Sequence, residues 1–265
     1  MHAQVPTPAA AWEPLRARVA LLAPRLSAPP AVPGLGAPPA SRPGIPPLCA
    51  TCRAPGRSRC LQCQLHAECL SGLLPDVVVP IAYAVKGSEH ARNLWLYKSG
   101  RPGAAAAAAA LRALLMVFLH DHGPCAWRAA GMAAPTHLAL VPSGRGRPGP
   151  HPLRSLAAPY LATPWAGLWL RSRDDQEIRD LDPDRFRAQR LPGARVVLLD
   201  DTWTSGASAV SATAALKLAG ARSVAVIVLG RHVAAAARGQ PGPAAFWPAM
   251  LPFRPWLCAV HGPAT

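Results

Sequence analysis

Lysine is nearly absent from this chain. Only Lys86, Lys98 and Lys217 occur among 28 basic residues, so arginine carries almost all of the positive charge. Acids are scarce as well, 13 in 265 residues, and eight of them fall between Asp174 and Asp201. The net charge is +15. An excess of this size points to polyanionic partners such as nucleic acid, an acidic surface or phosphorylated ligands. Part of it follows from a composition rich in Ala, Pro, Gly and Arg throughout, as G+C-rich coding produces. Charged residues make up only 15% and apolar ones 51%, which excludes a wholly disordered chain. The length corresponds to one or two domains and is enough for a real core.

No basic stretch followed by an apolar run opens the sequence, so no signal peptide is expected. The longest apolar run, residues 103–119, is shorter than a membrane crossing and is broken by Arg112; it reads as a buried helix, with no membrane span. Seven cysteines, an odd number, without an export signal point to metal binding before disulfides and to the cytoplasm. No G-x4-G-K-[ST] is present, which argues against a P-loop nucleotidase, and no Ser/His/Asp or Cys/His set stands out. Residues 144–149 satisfy G-x-G-x-x-G, but Pro148, Pro150 and Pro152 prevent a helix from starting where a dinucleotide would need one.

The chain divides into five segments. Trp12, Leu15, Val19, Leu22 and Leu26 recur at helical spacing, so residues 1–26 carry an amphipathic helix that packs on its own protein; a partner or membrane surface is the alternative. Residues 27–47 hold eight prolines and read as an extended linker. A cysteine-rich segment spans 48–75, an α/β domain 76–234 and a Pro-rich tail 235–265. In the α/β domain, strands are expected at 76–85, 136–141, 195–199 and 223–229. Pro80 suggests an edge or a bulge in the first of them. Helices are expected at 103–120, 153–161 and 208–219, and 172–187 reads as a charged loop with short helical pieces. The final strand–helix–strand is a βαβ unit, hence a parallel sheet flanked by helices.

Cys49, Cys52, Cys60 and Cys63 form a C-x2-C-x7-C-x2-C array. Each pair can place two thiolates on one tetrahedral ion, so a small structural zinc knuckle is expected. His66 and Cys69 lie near enough in sequence to replace a ligand. Arg53, Arg57 and Arg59 would suit a phosphate backbone.

The most informative segment is residues 196–208, VVLLDDTWTSGAS. Four apolar residues form a buried strand. Asp200 and Asp201 follow at its carboxyl end, where α/β sheets bind ligands. Thr204, Ser205, Gly206, Ala207 and Ser208 then offer backbone amides and hydroxyls at a helix N-terminus, a geometry suited to a phosphate monoester. Carboxylates accept from ribose hydroxyls, so the array fits a ribose 5-phosphate. Trp203 either packs or stacks on a ligand.

This segment resembles the phosphoribosyl pyrophosphate (PRPP) motif of type I phosphoribosyltransferases, and the order of helix, cysteine knuckle and α/β domain is similar to the ComF family. The resemblance implies an α/β, type I phosphoribosyltransferase-like parallel sheet flanked by helices and preceded by a four-cysteine zinc knuckle. It implies displacement of pyrophosphate from PRPP by a nitrogen nucleophile, with magnesium accompanying PRPP. Asp200, Asp201 and Lys98 take the catalytic positions, with Lys98 assigned from the similar stretch Tyr83–Lys98 and Lys86-Gly87 competing for its role. Val141-Pro142-Ser143-Gly144 resembles the pyrophosphate loop, with Arg145 and Arg147 to neutralise charge. Asp184-Arg185-Phe186 resembles the stretch preceding the PRPP strand. The family's Arg-Gly-Phe-Asn-Gln run is not visible. The alternative is a non-catalytic PRPP-binding or DNA-uptake-associated protein that handles single-stranded DNA or another nucleic acid. A homodimer is compatible with either reading.

Overall fold

The computed structural model describes residues 9–28, 47–142, 151–161, 166–167, 170–172, 180–233 and 251–255. Four strands dominate them: β2 (Val77–Val85), β3 (His137–Leu140), β7 (Arg195–Trp203) and β8 (Ser223–Val233). All nine residues of β2 are buried, and β8 is buried at every position but one. Strands covered on both faces belong to a parallel sheet with helices on each side. The order is β3-β7-β8-β2, every pair parallel, with His137 opposite Val196, Val197 opposite Ala225 and Val77 also opposite Ala225. The two-residue β4 (Ala166–Gly167) adds in parallel beside β3. On the far side, β1 (Ser27–Ala28) pairs antiparallel with β2, and β9 (Leu251–Pro252) with β1.

Helices fill the crossovers. α3 (Glu89–Leu96), α4 (Ala104–Asp121) and α5 (Gly123–Ala129) join β2 to β3; α6 (Pro152–Leu161) follows β3, and α7 (Ala207–Leu218) joins β7 to β8. One face of the sheet, with Ile81, Val197, Leu199 and Ile227, packs on α4 and α1 (Ala9–Leu22). The other face, with Val196, Leu198, Val226 and Val228, packs on the alanines of α7 and on the cysteine segment with its helix α2 (Leu61–Cys69). Alanine lets α7 lie close to the β-branched surface. α4 is long and apolar enough to cross a membrane, yet 56% of it is buried inside the molecule as a core helix.

Several expectations are corrected. The first helix, Ala9–Leu22 among the described residues, ends at Leu22 and not at Leu26, because Pro24 cannot continue it and a 3-10 turn, Ala23–Arg25, takes over. β7 and β8 run beyond their apolar cores to Trp203 and Val233, since they pair with each other as far as Trp203 opposite Arg231 and β2 carries β8 on to Val233 opposite Val85. Among the described residues the charged stretch 172–187 contributes strand, not helical pieces: β5 (Leu170–Ser172) and β6 (Phe186–Ala188) pair antiparallel, and residues 173–179 lie outside the described residues. Pro80 sits inside a fully buried strand. It lies opposite Val228 of β8, while the described part of β1 meets β2 only at Tyr83. The linker at 29–46 and most of the tail lie outside the described residues.

Candidate functional site

The carboxyl ends of β2, β3, β7 and β8 open into one cavity of about 1040 Å³. Its floor is Asp200, Asp201 and the loop from Thr204 to Ser208, which enters α7. Gly206, the N-cap of α7, has φ +88°, and a Cβ there would lie 2.1 Å from the Trp203 ring. Only glycine satisfies both constraints. Trp203 is 1% exposed, so of its two readings the ring packs under the loop. The Ser205 hydroxyl accepts from Ala207 N at 3.3 Å, and Ser208 Oγ accepts from Arg185 Nη1 at 3.0 Å.

Helix α3 forms one wall. Ser88, whose Oγ accepts from Ala91 N at 3.2 Å, caps it, and Ala91, Arg92, Trp95 and Lys98 line the cavity at helical spacing. Two contacts lock this helix to the sheet. His90, held neutral by burial with its pKa lowered to about 4, bonds Leu229 O at 3.0 Å. Gly230 leaves room for Leu94, whose Cδ1 would stand 2.3 Å from a Cβ there. Lys86 also lines the cavity, whereas the third lysine, Lys217, pairs with Asp76 at 2.8 Å at the opposite end of the strands. Pro142, just past β3, and His151, just before α6, face the site. Ser143, Gly144 and Arg145 lie outside the described residues.

The two aspartates differ in chemistry. Asp201 is 6% exposed and accepts from the Tyr97 hydroxyl and from Lys98 Nζ at 2.8 Å. Burial pushes its carboxyl up, but the charge and hydrogen bond of Lys98 and the Tyr97 bond outweigh burial and hold it below the usual range. Asp200 is half-buried. Desolvation and then the Asp201 charge push it up to about 7, against a smaller pull from Lys98. Its Oδ1 accepts from Asp201 N at 2.8 Å.

The cysteine cluster assembles on the opposite sheet face from α3. A tight turn is closed by Cys49 N to Ala54 O at 2.8 Å and Arg53 N to Cys49 O at 2.9 Å. Cys60 begins α2 and places Cys63 on its first turn. The sulfurs of Cys49, Cys52, Cys60 and Cys63 lie within 4.8 Å of one another. A tetrahedral ion with metal–sulfur bonds of ~2.3 Å separates its sulfurs by ~3.8 Å. Cys52 and Cys60 are 3.7 Å apart, so the donor set fits a four-thiolate zinc site. His66 and Cys69 stay outside the cluster.

Cavity residues that the sequence did not single out for the site are Arg185, Arg92, Trp95, His151, His232 and Gln62. Arg185 is 5% exposed and grips Ser208. It belongs to the stretch Asp184-Arg185-Phe186, but arginine is too frequent in this chain to stand out. Gln62 comes from α2, so the cysteine segment adds to the cavity wall. Compared with known proteins, the chain matches no family model, no curated protein and no solved structure.

Proposed function

We propose that this chain is a PRPP-binding protein of the type I phosphoribosyltransferase kind, with a structural zinc knuckle, and that it displaces pyrophosphate from PRPP with a nitrogen nucleophile. One observation carries the reading: a phosphate-type loop, an acid pair and two of the three lysines meet in a single cavity at the carboxyl ends of parallel strands.

The amides and hydroxyls of Thr204–Ser208 hold the 5-phosphate, with Arg185 bracing Ser208. Asp200 accepts from the ribose hydroxyls. Lys86, Lys98 and Arg92 supply cationic charge for the pyrophosphate. Magnesium, carried in with PRPP, would neutralise part of the leaving group's charge, and Asp200 is the carboxylate available to hold it. As the C1–O bond to pyrophosphate breaks, positive charge develops on the ribose. Asp200 and Asp201 stabilise that charge, and the incoming nitrogen forms the new bond at C1 while releasing its proton. The protein contributes positioning and electrostatics.

Calorimetry of the full chain with magnesium and PRPP tests binding. Wild type should bind, and Asp200→Asn and Ser208→Ala should each bind at least tenfold more weakly with folding intact, about 1.4 kcal/mol or more. Absence of heat with the folded wild type would overturn the reading. Pyrophosphate release with ammonia and a panel of bases then separates turnover from binding alone.

A further inference from the structure

Two arginines are buried beside the cysteine cluster: Arg53 is 7% exposed and Arg231 8%. Ion pairs among the described residues engage Arg16, Arg25, Lys98, His120 and Lys217, but neither of these two. A buried guanidinium lacking a counter-charge is strongly unfavourable. Four thiolates around one divalent ion carry about two net negative charges, which two arginines balance.

Arg231 also reaches the phosphate loop. It stands in a row across three strands, with Tyr83 opposite it on β2 and Trp203 on β7. The Tyr83 hydroxyl donates to Arg53 O at 2.6 Å, next to Cys52. Arg231 Nη1 donates to Trp203 O at 3.1 Å and to Thr204 O at 3.0 Å, where the loop begins. Its Nε donates to nothing among the described residues. Gly230 faces Leu94 of α3, so Arg231, the next residue along the strand, faces the cysteine side of the sheet. The Trp203 ring shares an apolar cluster with Cys49, Cys52 and Cys63 and lies directly under Gly206.

We propose that Arg231 is a positioning residue that couples the metal cluster to the phosphate loop. The loaded cluster supplies the guanidinium's counter-charge, and the guanidinium holds the two carbonyls that open the loop. The inference rests on reading residues 204–208 as the phosphate site and the cysteines as the zinc site. Linkage is reciprocal, so a phosphate ligand must also strengthen metal retention.

The test uses the full chain, with ribose 5-phosphate as probe. Zinc-loaded Arg231→Gln should bind the probe about tenfold more weakly than wild type and lose zinc to a competing chelator at about tenfold lower chelator concentration. Ser208→Ala should weaken the probe while leaving the chelator competition unchanged. In cobalt-loaded wild type the probe should shift the thiolate-to-metal absorption bands, and in cobalt-loaded Arg231→Gln it should not. Equal probe affinity in wild type and Arg231→Gln, or unshifted bands in wild type, would overturn the coupling alone. No binding of probe by zinc-loaded wild type would overturn the phosphate-site reading and the coupling with it. Should Arg231→Gln not fold, Arg231→Lys keeps the charge but not the planar fork. It should retain zinc and lose probe affinity, and wild-type probe affinity there would overturn the proposal.

Discussion

Both aspartates line the cavity, but Asp201 already accepts from the Tyr97 and Lys98 side chains, while Asp200 accepts from backbone N–H groups. A linkage consequence follows. Asp200 binds its proton more tightly in the folded chain, with a pKa of about 7 against an ordinary 3.8. Between those values the folded state holds more protons than the unfolded one, so stability falls as pH rises from 4 to 7 and then levels. Asp200→Asn carries no such charge. Its advantage over wild type in urea unfolding should be small at pH 4 and grow to about 1–3 kcal/mol by pH 7.5. A constant difference across that range would contradict the assignment. Asp201→Asn should behave oppositely, costing about 1–3 kcal/mol at pH 7.5 because it removes the negative charge facing Lys98 and leaves a neutral amide oxygen as a weaker acceptor for Lys98 and Tyr97.

At the scale of elements, the junction of β7 and α7 is the rigid part of the site. Gly206→Ala must place a Cβ in a left-handed backbone and against the Trp203 ring. The two costs sum to about 2–5 kcal/mol, measurable as a lowered urea midpoint. Trp203→Phe should recover part of that loss in the double variant, because the smaller ring retreats while the backbone strain remains. A neutral Gly206→Ala would show that the loop adopts another shape. This junction was legible in the sequence because strand, acid pair, loop and helix are consecutive and each carries its own signal. The cysteine pairs were legible for the same reason. The α3 wall was only partly so. Lys98 came from a resemblance, and its bond to Asp201 spans 103 residues, which no local periodicity reports. Arg185 and Arg231 were hidden by the abundance of arginine. The β5–β6 pairing was hidden because short charged strands lack an apolar alternation.

Across the whole molecule, the cysteine segment is part of the core. Cys49, Cys52 and Cys63 share one apolar cluster with Val196, Leu198 and the α7 alanines, and Gln62 from the same segment reaches the cavity. A knuckle hung on a flexible arm would melt separately from the α/β domain, whereas this arrangement ties the two together. Structural zinc contributes on the order of 10 kcal/mol to folding of its site. Metal analysis should therefore find about one zinc per chain, and calorimetric scanning should show a single transition. Chelation, or Cys52→Ser, should move that whole transition down by ten degrees or more. Two transitions in the zinc-loaded protein, with only the first sensitive to chelator, would mean that the cluster folds independently. Full zinc content and unchanged melting in Cys52→Ser would remove the cluster from the metal site altogether. A single metal-dependent transition is also what the coupling through Arg231 requires, because it shows that the cysteine cluster and the phosphate loop belong to one packed core.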